Sequence, residues 1–261
     1  MGAPEVSRGT LARYQIALFF ALVYPLSWWA VPRLQGGLIA QGPFIAALIV
    51  VALTAGAAGL RAYWRSVGRW RAGWWYAAGP AIVATYLLVA FALNLLLGAM
   101  VSNVPALPSI GLLIQLLLLG GVWEELGWTG YALPKLQQAL APRRYPALFA
   151  SLILAVFRGL WHLPLIAYGK VLWFDAFIFS IAFQLIIAWL YNRSGSVPVV
   201  MTFHYATNVL AGGVMLGVFA GGERTQFWAL FVGCACVIAL VLLWATKLTL
   251  GYQRPGETEA R

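Results

Sequence analysis

Long apolar runs recur from one end of this 261-residue chain to the other, most of them exceeding the roughly 18 residues that a helix needs to cross a bilayer. Hydrocarbon offers a backbone N–H or C=O no partner, so runs of this length are stable there only as helices that satisfy their own polar groups. The runs predict membrane helices at 14–32, 42–60, 74–97, 109–131, 146–168, 172–192, 197–219 and 226–250. The expected fold is therefore all-α: a polytopic membrane protein, a bundle of about eight transmembrane helices. The intervals between runs are too short for a soluble domain, which predicts one membrane domain over 1–261 with a loose polar tail at 251–261. Pro25, Pro80 and Pro164 fall within or near the ends of these runs and are expected to kink them.

Charge supports the same class. Only 9% of residues are charged, against about a quarter in soluble domains. A net charge of +10 could suggest nucleic acid, but the basic residues are scattered at the ends of apolar runs beside aromatic residues, as in Tyr63-Trp64-Arg65 and Arg69-Trp70-Arg71. That distribution is the signature of a membrane interface, so the expected partners are lipids and not nucleic acid. With the N-terminus inside, thirteen Lys and Arg fall in inner segments, and only Arg33, Lys170 and Arg224 in outer loops. The bias predicts a multi-pass protein of the cell membrane with both termini cytoplasmic. Position six is Val6, which lacks the hydroxyl a myristoylation signal wants, and the first run has no cleavage site after it and is expected to stay as a helix. Cys234 and Cys236 lie two apart in an apolar run without metal-ligand neighbours and read as small hydrophobes.

The informative residues are the polar ones inside apolar runs. Glu5, Glu223, Glu257 and Glu259 lie at termini or in a loop, and Asp175 reads as a solvated charge at the start of the sixth helix. Glu124 and Glu125 stand together inside the fourth run, where a carboxylate at mid-bilayer costs roughly 3 kcal/mol. Both histidines of the chain, His162 and His204, also lie in apolar runs. Such groups are kept where they pair or act, so a shared polar site between the fourth, fifth and seventh helices is expected. Glu124 lies 19 residues before Arg143 and His162 lies 19 after it, so an antiparallel hairpin turning at 142–144 sets them side by side. His204 is nearer its own turn, and the depths agree if Tyr131–Leu140 projects into the cytoplasm as helix. Arg158 with His162, and His204 with Asn208, are each four apart and share a helix face.

At these residues the sequence resembles the CAAX prenyl-endopeptidase and bacteriocin-processing (CPBP) family, the type II CAAX proteases, whose pattern is EExxxR, FxxxH and HxxxN or HxxxD on successive membrane helices. Glu124-Glu125-Leu-Gly-Trp-Thr129 resembles the first motif, Gly159-Leu-Trp-His162 the second and His204-Tyr-Ala-Thr-Asn208 the third, in a core of about 110–215. Two positions depart: Thr129 stands where the family has Arg, and Arg158 where it has Phe. Residue 158 lies within one residue of the level of position 129 in the hairpin, so Arg158 is expected to replace the missing guanidinium and neutralise Glu125 from the neighbouring helix.

The resemblance implies an intramembrane endopeptidase that hydrolyses a peptide bond near the membrane, acting on a peptide or protein whose C-terminus can carry a lipid. Its chemistry needs an activated water, a base and oxyanion donors. Glu124 is assigned as base beside His162, Glu125 as a supporting group, and His204 with Asn208 as oxyanion donors. Neighbours on a helix point about 100° apart, so the two glutamates cannot face the site equally. Metal stays open: Glu124, His162 and His204 match some catalytic zinc sets, yet no HExxH is present, and the family allows both zinc and metal-free readings. Ser151 and Ser180 lack a nucleophile setting, and a lone Asp175 cannot form an aspartyl pair. Two competitors are an inactive, immunity-like member that binds or shields a partner, and a proton-coupled transporter using Gln115, Gln184 and Asn94. Gly212, Gly213, Gly217 and Gly221 are expected to let the seventh helix pack closely, Trp123, Trp128 and Trp161 either to shape the site or, more commonly for such residues, to anchor or pack, and Tyr205 to turn away from His204.

Overall fold

In the computed structural model, which describes residues 8–254, every expected run is helical and no strand occurs among the described residues. The helices are α1 (Arg8–Trp28), α2 (Gly42–Val67), α3 (Trp75–Leu96), α4 (Ile110–Ala139), α5 (Pro146–Trp161), the short α6 (Leu163–Ala167), α7 (Asp175–Ser194), α8 (Val197–Ala206, prolonged by wider turns over Thr207–Met215) and α9 (Gly221–Ala245). Five of them, α2, α3, α4, α7 and α9, are long and apolar enough to cross a bilayer, and α5 is a shorter apolar helix. The chain is an all-α polytopic membrane protein. The expected tail at 251–261 lies largely outside the described residues.

Exposed Leu, Val and Trp cover the outside of the bundle, as on α9 at Val237, Leu240, Val241 and Trp244. In water such a surface would be an aggregation hazard; in lipid it is the solvated face. Small residues set how closely the inner helices approach. A Cβ on Gly79 would strike Phe203 of α8, one on Gly127 the backbone of Pro43 on α2, and one on Gly159 Phe177 of α7. These contacts fix α4, α5 and α8 in the bundle by van der Waals packing, the main force between helices in lipid.

Several details depart from expectation. The marked break in α2 falls at Gly56, whose φ of 56° and ψ of −156° are open to glycine but strained for other residues, and not at a proline. α5 ends at Trp161, and Pro164 opens α6 in its first turn, so the fifth run is two helices and not one. Residues 131–140 are largely helical, as expected, and packed against their neighbours. Tyr131, Ala132, Leu133, Leu136 and Gln137 are buried against α1 and α5, and Lys135 Nζ donates to Gln15 Oε1 at 2.9 Å. Of the four glycines at the seventh run, Gly213 alone meets a neighbour (Pro108); around Gly212, Gly217 and Gly221 a Cβ would find open space. Tyr205, by contrast, turns away from His204 as expected and donates to the Leu113 carbonyl at 3.0 Å.

Candidate active site in the membrane core

α4 is not one continuous coil. At Gly120 the backbone is extended (φ −82°, ψ −178°), a single tight turn spans Gly121–Trp123, and the helix resumes at Glu124. The cause is local: a Cβ at position 120 would run into the Leu116 carbonyl, and one at 121 into His204 Nε2 and Glu124 Oε1. Gly120-Gly121 thus lets the chain bend where α8 crosses, and the two carboxylates emerge in the first turn after the bend.

The two glutamates then part company. Glu125 is fully buried and accepts from three side chains. Arg158 Nη2 lies 2.7 Å from both of its oxygens, His204 Nδ1 lies 2.8 Å from Oε1, and the Thr129 hydroxyl donates to Oε2. The Arg158 guanidinium is itself only 2% exposed and sits 5.5 Å from the Trp128 ring centre and 5.7 Å from that of Phe183. A charge so placed is tolerable only when paired, and cation–π contact with two rings adds to the pairing. The expected compensation across the hairpin is therefore present: a guanidinium from α5 answers the carboxylate of α4. Glu124, at 5% exposure, lines a cavity of about 710 Å³ together with Arg158, His162, His204 and Asn208. All five residues expected to act, Glu124, Glu125, His162, His204 and Asn208, come to one place, Glu125 behind the cavity wall and the other four on it.

Both imidazoles are held by their Nδ1 atoms. His162 Nδ1 is 2.7 Å from the Arg158 carbonyl, which can only accept, so Nδ1 carries the proton. The same reasoning puts a proton on His204 Nδ1, which faces the Glu125 carboxylate. Each ring is left with Nε2 for the cavity. Trp161, Trp128 and Phe183 brace the set: Trp161 meets His162 edge-to-face at 5.0 Å and Phe183 meets His204 likewise at 5.0 Å. Trp128 and Trp161 are buried, not interfacial anchors, while Trp123 is half-buried against Phe44.

Among the described residues no three His, Cys, Asp or Glu side chains gather into a group that could hold a metal ion. Catalytic zinc needs its protein donors converging at about 2.0–2.2 Å on one point. Glu124, His162 and His204 are near one another without forming such a set, so the zinc alternative does not fit these residues. Cys234 and Cys236 are half-buried on α9, away from the cavity.

Some of the wall escaped sequence reasoning. Gly121 carries no charge to flag it, though the Gly-Gly pair before Trp123 was a visible helix breaker. Asp175 is half-buried on the cavity wall, where a solvated helix-start charge was expected. Gln184 and Asn94 are buried, neither on the cavity wall, and Gln115 lies outside it too.

Residues 105–210 match the family profile described as type II CAAX prenyl endopeptidase Rce1-like. A CAAX prenyl protease 2 from Methanococcus maripaludis is 35% identical over 136 residues, which are 47% of this chain and 47% of that protein. The matched part thus spans about half the length of the curated relative. The stretch that matches the profile holds Glu124, Glu125, Thr129, Arg158, His162, His204 and Asn208 together. Residues 105–210 are thus similar to the type II CAAX prenyl endopeptidases.

Proposed function

We propose that this chain is an intramembrane endopeptidase of CAAX type that hydrolyses a peptide bond with a water activated by Glu124 and His162, without metal. One observation carries the reading: Glu125 is closed off by Arg158, His204 and Thr129, which leaves Glu124 as the glutamate of the pair that faces the cavity, where both histidines also line the wall.

The chemistry follows from these groups. A water lodged between Glu124 and the His162 Nε2 lone pair is oriented by both. Glu124 takes one of its protons as the water oxygen bonds to the scissile carbonyl carbon. The carbonyl π electrons move to the oxygen, which becomes an oxyanion. Asn208 donates to it from its amide. His204 donates from Nε2 when its ring carries both protons, with Nδ1–H held by Glu125. Glu124 returns the proton to the amide nitrogen as the C–N bond breaks, giving a carboxylic acid end and an amine end. Arg158 touches none of the reacting atoms; it positions Glu125 and, through it, His204.

The cavity wall supports a substrate with an apolar part. Leu112, Leu116, Leu165, Phe179 and Trp228 are among its lining residues and give it an apolar surface suited to an acyl or isoprenoid chain. A peptide with a lipidated C-terminus, the substrate class that the name of the archaeal relative carries, fits such a wall. An inactive relative need not have kept Glu125 paired after losing the Arg at 129; the Arg158 pair favours the active reading.

The test is cleavage of a lipidated and unlipidated reporter peptide library by the purified protein, with and without chelator, beside Glu124→Ala. Cleavage that survives chelator and is lost in a folded Glu124→Ala variant is expected. A folded parent protein that cuts nothing, or a Glu124→Ala variant that cuts like the parent, would overturn the proposal.

A further inference from the structure

Two carboxylates line the cavity, and the mechanism above uses only Glu124. The other is Asp175, which opens α7. Its carboxylate accepts no hydrogen bond and joins no ion pair among the described residues, although Lys170 and Arg224 line the same cavity. Those two cations are exposed and mark the cavity mouth, whereas Asp175 is half-buried. A carboxylate held in a largely apolar wall loses much of its hydration, and here the chain offers it no counter-charge in return.

What accompanies Asp175 on the wall is aromatic. Asp175–Phe179 form a wide turn in which the first and last residues, four apart, stand on one side of α7. Such wide turns occur often at functional sites. α9 packs against this turn and sets the Phe231 ring 5.1 Å from that of Phe179, and the Trp228 ring lies 5.1 Å from that of Phe231. All three rings line the cavity together with Asp175. An acid beside a run of rings suits an ammonium or guanidinium group. The charge pairs with the carboxylate, the ring quadrupoles attract it, and the apolar surface covers its methylene stem.

We propose that Asp175, Phe179, Trp228 and Phe231 form a subsite for a cationic side chain, so that the preferred substrate is a peptide carrying Lys or Arg near the bond that Glu124 attacks. The word substrate rests on the hydrolytic reading above; the binding of a cation does not. One cavity of about 710 Å³ holds both carboxylates, so the basic residue and the scissile bond belong to the same short segment of the peptide.

Equilibrium binding tests the subsite without catalysis. Full-length protein carrying Glu124→Ala, in mild detergent, is titrated against lipidated reporter peptides with a neutral dye. Each peptide is uncharged along its length save for one Lys, moved through successive positions, and a matching set carries Gln instead; a protein-free blank removes partition into micelles. At one position or more the Lys peptide is expected to bind about tenfold tighter than its Gln counterpart, or better. Asp175→Asn is expected to erase that difference and Asp175→Glu to keep most of it. Lys and Gln peptides that bind alike at every position overturn the proposal. So does an Asp175→Asn variant that weakens both sets equally and leaves the preference in place, which would mark a structural role. If the preference appears as expected while protein with Glu124 intact cuts nothing, the subsite stands and the protease reading falls. If that protein cuts Lys and Gln peptides with equal kcat/KM, the protease reading stands and the subsite falls.

Discussion

Replacing Arg158 by Phe, the residue the family pattern has there, isolates the ion pair. The guanidinium supplies two of the four hydrogen bonds that Glu125 accepts, and it is the only side chain bonded to Glu125 whose positive charge is permanent. Removing one partner of a buried pair costs about 3–5 kcal/mol, because the other charge stays behind in a low-dielectric setting. His204 and Thr129 still hold Glu125, which places the expected loss near the lower end, about 3 kcal/mol, or roughly two factors of ten in the folding equilibrium. A phenyl ring at 158 would sit against Trp128 and Phe183, so packing is not the source of the loss. The measurement is the unfolding midpoint of the purified protein in mild detergent, read beside peptide cleavage. Thr129→Arg added to Arg158→Phe is expected to restore most of both, since residue 129 is one helical turn from Glu125 and its hydroxyl already bonds that carboxylate. A single variant as stable as the parent, or a double variant no better than the single, would refute the exchange of cations between helices.

Gly121→Ala puts a methyl where His204 Nε2 and Glu124 Oε1 meet, and should abolish cleavage while leaving helix content unchanged; full activity would mean that the turn at 121–123 relaxes freely. Asn208→Ala should lower kcat by about 100-fold or more with little change in KM, as loss of an oxyanion donor does, and a pure KM effect would move Asn208 from the reacting atoms to substrate binding. Lys170→Gln with Arg224→Gln should raise KM for reporters with an acidic group near the cut and leave neutral reporters alone; equal effects on both would remove the mouth cations from recognition.

Sequence reasoning reached far here because the decisive signals are one-dimensional. Run length against bilayer thickness yields the helices, and an ionisable side chain inside such a run stands out wherever it falls. The pairing of Arg158 with Glu125 came from counting residues from a hairpin tip, which needs only that α4 and α5 are antiparallel and in contact. Counting failed where the coil changes pitch. The tight turn at Gly121–Trp123 and the wide turn at Trp128–Ala132 alter the rise along α4, so depths reckoned from a uniform step of about 1.5 Å do not hold along it. Residues without charge were invisible for the opposite reason: Gly121 matters for what it lacks. Asp175 was misplaced because a helix-start acid looks alike whether it stands in open water or on the wall of a cavity.

His162 takes its orienting partner from the main chain of residue 158. Whatever side chain occupies that position, the carbonyl stays where the helix puts it, and the imidazole keeps its bearing. Position 158 thus performs two separable duties, one backbone and one side chain. A lineage could trade aromatic for cationic there, and shift the counter-charge between helices of the bundle, without ever misaligning the ring of His162.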